Sequence, residues 1–230
     1  MRVGIIAALK EEIDPLVQSM EDVETSKWGR RIIHQGKIGD CQVVAVAGGV
    51  GKVKAAACTQ YLTDQFSIEA LIGTGVAGAV NPRLHTRDIV ICQRALQHDF
   101  DPGDPELLKK FRRRWLEADG ELVELALDAA KELNLAERCR PGKVLTGDQA
   151  IVSQDRRQWL WETFQADCVD MESAAVAQVC QMNEVPWVIV RAISDSAEEN
   201  SIVEFRGNLR EAASVAASVA AGMTKSIRTG

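Results

Sequence analysis

The chain has 230 residues, 46% of them hydrophobic, and a formal net charge of -6 at pH 7. That length suits one well-buried core, and no linker-like stretch divides it, so a single domain over residues 1–230 is expected. The acidic balance is spread along the chain, which argues against a phosphate backbone, and hence nucleic acid, as a partner.

Arg2 to Ala8 is a short apolar run that reads as a strand, followed by the charged Lys10-Glu11-Glu12. It is too short and too soon charged for a signal peptide or membrane span, so no membrane association and a cytoplasmic location are expected. The six cysteines form no CxxC pair and lie mostly in apolar runs, which fits a reducing compartment. From Lys10 to Met20, the positions of Ile13, Leu16, Val17 and Met20 predict an amphipathic helix. Strand-like runs over 31–36 and 41–47 flank Lys37-Ile38-Gly39-Asp40, a turn signal that predicts an antiparallel hairpin.

Gly48 to Lys52 reads as a glycine-rich turn opening a helix over 55–62. A strand over 70–73 then leads into Thr74 to Gly78, where glycines would let backbone approach a ligand. Further along, the pattern predicts a strand over 88–96 and an exposed excursion over 97–114, with its basic run Lys109 to Arg114 forming a solvated face. A helix over 121–133, a short strand over 143–146, a buried strand over 186–193 and a final helix over 208–227 complete the series. Strands alternating with helices imply a three-layer α/β/α domain, and the hairpin makes its central sheet mixed.

Candidate chemistry centres on carboxylates. Glu172 opens a stretch with small and apolar residues at helical spacing, and Asp195 closes an apolar run, so both point toward one cleft, with Glu12 beyond the first strand as a third member. Taken singly, Glu172 could be a helix N-terminal residue and Asp195 a strand-end acid holding backbone donors. Gly48 to Lys52 is no P-loop, because the GxxxxGK spacing is missing and Val53 has no hydroxyl for magnesium. His34, His85 and His98 lack metal-ligand spacing, so no metal and no cofactor are expected.

Five blocks carry a resemblance: Gly4-Ile-Ile-Ala-Ala-Leu-Lys-Glu-Glu12, Gly49-Val-Gly-Lys-Val53, Gly73-Thr-Gly-Val-Ala-Gly78, Asp170-Met-Glu-Ser-Ala-Ala-Val-Ala177 and Val190-Arg-Ala-Ile-Ser-Asp195. In this order the chain resembles the nucleoside phosphorylase/nucleosidase superfamily, most closely the 5'-methylthioadenosine/S-adenosylhomocysteine nucleosidases. The resemblance implies a nucleoside phosphorylase-like fold and hydrolysis of the N-glycosidic bond of 5'-modified adenosines. It implies that Asp195 protonates adenine N7, that Glu12 activates water, and that Glu172 accepts hydrogen bonds from ribose hydroxyls. It further implies that Met171 and Phe205 pack on the sugar and 5' substituent, Ser194 shapes the purine pocket, Ala77 and Gly78 admit the ligand close to backbone, and Ile151 offers backbone groups to the purine edge. Lys10-Glu11-Glu12 stands where related phosphorylases hold phosphate, which favours hydrolysis, since a carboxylate repels phosphate.

Two departures bear on specificity. Val76 replaces a common serine, and Ala150 stands where Gly147-Asp-Gln-Ala-Ile151 would otherwise carry a purine-stacking phenylalanine, a contact worth about 1 kcal/mol. Trp159 or Trp161 could fill that gap from the following helix. The alternative substrates are other purine nucleosides such as futalosine or aminodeoxyfutalosine, the alternative reaction is phosphorolysis, and the alternative class is a non-catalytic nucleoside-binding or storage protein. The resemblance also implies a homodimer, with 97–115 a candidate for the cross-subunit contact. The same bond cleavage serves both methionine salvage and menaquinone synthesis.

Overall fold

A computed structural model describes residues 1–227, so the last three residues of the expected 1–230 domain lie outside the described ones. The first strand, β1 (Arg2–Ala7), is flanked in parallel by β4 (Cys41–Ala47) and β5 (Ala70–Ala79). Its residues after Arg2 are buried, as a central strand covered on both faces requires. The predicted hairpin forms from β3 (Arg31–Ile38) and β4, turning at Gly39, whose positive φ fits a left-handed turn position. Beyond it lies an edge strand with no hydrophobic alternation, β2 (Glu21–Trp28). Its exposed charged side chains discourage pairing with another chain.

On the other side of β1 the sheet curls. Besides β1, β5 pairs in parallel with β10 (Trp187–Asp195), which pairs antiparallel with β6 (Ile89–Gln97). From β6 the order runs through β8 (Cys139–Thr146) and β9 (Cys168–Asp170) back to β5, so five strands close on themselves. A two-residue strand, β7 (Leu116–Glu117), adds to β6. The sheet is mixed, as expected.

Helices cover both faces. Buried side chains of α1 (Lys10–Val17), α4 (Gly120–Glu132) and α7 (Ser201–Ser226) share one apolar cluster with β1, β5 and β10. α2 (Lys52–Phe66) and α6 (Ser173–Met182) share a second cluster on the opposite face. A third cluster packs α5 (Gln154–Phe164) against β8 and β9. The last helix carries alanines at 212, 213, 216, 217 and 220, all buried, a small-residue stripe that lets it lie close to its neighbours.

One boundary changes: the strand expected over 70–73 runs on through Thr74 to Gly78, because Gly75 and Gly78 leave room for charged side chains packed beside it. The 97–114 excursion contains α3 (Pro105–Phe111), capped by the Asp104 carboxylate, which accepts from the Leu107 amide at 2.8 Å. Among the described residues no helix is long and apolar enough to cross a membrane.

Candidate active site

The carboxyl ends of the parallel strands β1, β4, β5 and β10 converge on a cavity of about 380 Å³, walled also by 149–152 and the start of α7. Glu12, Met171, Glu172, Ser194 and Asp195 line it. So do Ala77, Gly78, Ile151 and Phe205, so all nine expected site residues meet at one place.

Glu12 is the third residue of α1 and reaches back over the helix start, a position where a glutamate satisfies free amides. Its Oε2 accepts from the Ala8 and Leu9 amides at 2.9 and 2.8 Å, and its Oε1 accepts from the Val76 amide at 3.0 Å. Three donors on an acceptor-only group favour the ionised form and leave lone-pair capacity on Oε1 facing the cavity. Burial nevertheless dominates and moves its pKa upward, against the pull of Arg191 and those amides.

Beneath the cavity lies a buried ion cluster. Arg191 on β10 donates from Nε to Asp170 Oδ2 at 2.7 Å, and its Nη2 lies 3.8 Å from Glu172 Oε2. Asp170 also accepts from Thr146 Oγ1 at 2.7 Å, from the Glu172 and Ser173 amides at 3.1 Å, and from the Ser173 hydroxyl. Arg191 is only 3% exposed, so its charge persists through these partners; burial works against it, but Asp170, Glu172 and Glu12 outweigh burial and raise its pKa. A side chain at Gly75 would place Cβ 2.3 Å from Arg191 Nη1 and 2.6 Å from Glu12 Oε1, so only glycine leaves room for both.

Glu172 immediately precedes α6 without capping it, and its Oε1 instead accepts from the Gly51 amide at 2.8 Å. Burial first, then repulsion by Asp170, push its pKa up to about 7, while Arg191 and the Gly51 amide pull down. Asp195 ends β10 with Oδ1 accepting from the Ala197 amide at 3.0 Å and Oδ2 lying 2.7 Å from Ser194 Oγ. The same Ser194 Oγ lies 3.3 Å from the Ala77 carbonyl. If Asp195 carries a proton it donates to Ser194, which in turn donates to Ala77, so the geometry accommodates the acid form. Burial raises the Asp195 pKa in the same direction.

Asp170 and Arg191 escaped the sequence assignment, although both stand inside the quoted blocks. The readable signal was a lone arginine inside the apolar run 187–193, since a charge at a fully buried strand position requires a partner. Trp159 and Trp161 do not line the cavity. Trp159 instead packs edge-on against Phe164, with the Arg112 and Arg156 guanidinium groups over its ring. The tryptophans of α5 therefore do not fill the gap at Ala150, because α5 turns them toward its own apolar cluster; the aromatic that lines the cavity is Phe205. Among the described residues no group of three or more His, Cys, Asp or Glu side chains is arranged to hold a metal ion.

A mixed sheet whose strand ends gather carboxylates around one small-molecule cavity is the architecture of a nucleoside-cleaving enzyme fold. The chain belongs to the Phosphorylase superfamily, whose sequence profile matches residues 2–225. It is 35% identical to the 5'-methylthioadenosine/S-adenosylhomocysteine nucleosidase of Oceanobacillus iheyensis, over 99% of this chain and 100% of that one. It is 33% identical to the aminodeoxyfutalosine nucleosidase of Campylobacter jejuni, over 89% of this chain and 90% of the relative. The crystal structure of the Neisseria meningitidis 5'-methylthioadenosine/S-adenosylhomocysteine nucleosidase with methylthio-immucillin-A superposes with a TM-score of 0.91 at 32% identity, covering 98% and 99% of the two chains.

Replacing Asp170 by Ala is expected to destabilise the fold by about 3–5 kcal/mol, because it leaves Arg191 buried without its directly bonded partner. Urea unfolding of the two proteins measures this, and a loss under about 1 kcal/mol would mean that the cluster is not the buried structural element described above.

Proposed function

We propose that this protein hydrolyses the N-glycosidic bond of 5'-modified adenosines such as methylthioadenosine and S-adenosylhomocysteine, releasing adenine. The observation that carries the reading is one cavity lined by four buried carboxylates, of which Asp170 is taken up by Arg191, leaving Glu12, Glu172 and Asp195 to face a ligand. Glu12 and Asp195 are both buried, but Glu12 is held by three amide donors, whereas Asp195 has one amide and a hydroxyl that can accept a hydrogen bond from its acid form. Groups whose environments part their protonation states can serve as base and acid in one reaction.

Asp195 delivers a proton to the departing adenine, which lowers the cost of leaving as an anion. Glu12 holds and deprotonates the attacking water with its free Oε1 capacity, and Glu172 accepts from the ribose hydroxyls to fix the sugar beneath that water. Met171 and Phe205 supply apolar cover to the sugar and 5' substituent, Ser194 shapes the purine end, and Ala77, Gly78 and Ile151 bring backbone near the base. The chemistry requires no cofactor. The reading takes the whole chain as one catalytic domain, cytoplasmic, and active as a homodimer with an adenosine-derived small molecule as partner; light scattering tests the dimer. Methionine salvage is the context that these substrates suit.

A second reading, aminodeoxyfutalosine or futalosine as substrate, is favoured by one observation, an exposed alanine at position 150 in the cavity wall that neither Trp159 nor Trp161 reaches. The Campylobacter relative carries an activity name of that kind. Incubation with each nucleoside, with and without phosphate, separates these options: free sugar marks hydrolysis and sugar 1-phosphate marks phosphorolysis.

Asp195→Asn is expected to lose at least about a hundredfold in the rate of adenine release, since the variant keeps the size and drops the transferable proton. Unchanged turnover in a coupled adenine assay would exclude Asp195 as the acid. kcat/KM is expected to fall as pH drops through about 7, because Glu172, with its pKa raised to about that value, gains a proton there and loses its capacity to accept. A pH profile flat across that window would remove Glu172 from the sugar site. Ala150→Phe is expected to raise kcat/KM for adenine nucleosides about fivefold, the rate equivalent of roughly 1 kcal/mol of stacking. A fall in that parameter would show that the space beside Ala150 is used by the natural ligand.

A further inference from the structure

Two loops contribute to the cavity wall. One is 48–51, which supplies Val50 to the cavity wall and the Gly51 amide to Glu172. The other is 147–152, which supplies the purine-side wall from Gln149 to Val152. They are joined by a polar clasp whose members, Lys52, Asp99 and Asp148, do not line the cavity.

Lys52 is the first residue of α2, and its side chain is 19% exposed. Its Nζ donates to Asp99 Oδ1 at 2.6 Å and to Gln97 Oε1 at 3.2 Å, and its backbone amide donates to Asp148 Oδ1 at 2.8 Å. Asp99 completes the ring by accepting from the Asp148 amide through Oδ2 at 2.9 Å. Burial pushes the Asp99 carboxyl up, but Lys52 and the Asp148 amide outweigh it and hold the carboxyl below its ordinary range. The neighbouring His98 is buried under Gly147, where an added Cβ would lie 2.4 Å from its Nε2, and among the described residues neither ring nitrogen has a hydrogen-bond partner. Burial moves the His98 pKa down to about 4, so at neutral pH the ring is an uncharged wedge under the same loop.

We propose that Lys52 is a positioning residue: by clasping Asp99 and Asp148 it fixes the Gly51 amide against Glu172 and the 149–152 wall against the purine, and so sets the sugar and base in register. This rests on the hydrolase reading above. Each bond of the clasp runs between segments that are distant in sequence; losing the ammonium removes those to Asp99 and Gln97 and the 3.9 Å ion pair with Asp148, and leaves the loops held by the weaker backbone bonds of the Lys52 and Asp148 amides. With Gly51 less firmly held, Glu172 loses a donor that favours its ionised form, and it takes up a proton at higher pH.

The test compares the wild type with Lys52→Met, Lys52→Arg and Asp99→Asn on methylthioadenosine across a pH series. Lys52→Met and Asp99→Asn are expected to lose roughly tenfold or more in kcat/KM and to move the acid limb of the profile to higher pH, with Lys52→Arg recovering most of both. A general loss of stability would not displace that limb. If both charge-removing variants keep the wild-type limb and stay within about twofold in kcat/KM, the positioning role is wrong. Should Lys52→Met fail to fold, Asp99→Asn carries the comparison. Should the wild type release base from no nucleoside, the hydrolase reading fails on its own, and amide hydrogen exchange then reads the clasp: exchange at Gly51 and Asp148 is expected to quicken about tenfold or more in Asp99→Asn, and unchanged exchange overturns the clasp.

Discussion

One guanidinium buried under the cavity floor governs the arrangement of this site. Arg191 enters the closed part of the sheet on β10, where water cannot reach it, and the fold surrounds it with Asp170, Glu172 and Glu12. A lone charge there would be untenable, and one cation cannot fully neutralise three acids. The direct bond goes to Asp170, while Glu172 and Glu12 interact with Arg191 at longer range and have their proton affinities raised by burial. Space for this cluster explains the glycine at position 75, and the need to anchor Asp170 explains why Thr146 and Ser173 turn hydroxyls toward it.

The carboxylates nearest the ligand then differ through their local donors rather than through residue type. Glu12 uses a helix start and a strand amide, both fixed backbone dipoles that cost no reorganisation when charge develops nearby. Asp195 has a single amide and a hydroxyl that can serve as donor or acceptor. The first surroundings suit an ionised group and the second tolerate a protonated one. Closure of the sheet makes this possible, because it brings the ends of β5, β9 and β10 to the same rim.

Much of this was readable before folding. The apolar runs that became β1, β4 and β10 and the turn at Gly39 follow from local pattern, because burial on both faces and hairpin geometry leave direct marks on composition. Five sequence blocks hold seven of the nine residues that share one cavity, Ile151 and Phe205 lying outside them. β2 was not legible, since its exposed charged side chains carry no alternation and only pairing with β3 makes it a strand. That β5 runs on through Thr74 to Gly78 was not legible either: glycines interrupt strand patterning, yet here they mark crowding by Arg191 and Glu12 at Gly75 and by Asp195 and Ala197 at Gly78. The tryptophans of α5 could not be placed, because which face of a short helix meets a cavity depends on what else competes for its apolar side.

The sequence by itself determined the alternation of the main strands and helices, the residue types available for acid and base work, and the family to which the chain belongs. Those are properties of local pattern and of motif, and each is written in a few neighbouring residues. Only the tertiary structure decided that Arg191 and Asp170 form the charged floor, that Glu12 is held by amides of two separate elements, and that Lys52 joins the loops on either side of the cavity. Those depend on distances between residues up to more than a hundred positions apart, and electrostatic strength at such contacts is set by burial, which no single stretch of sequence contains.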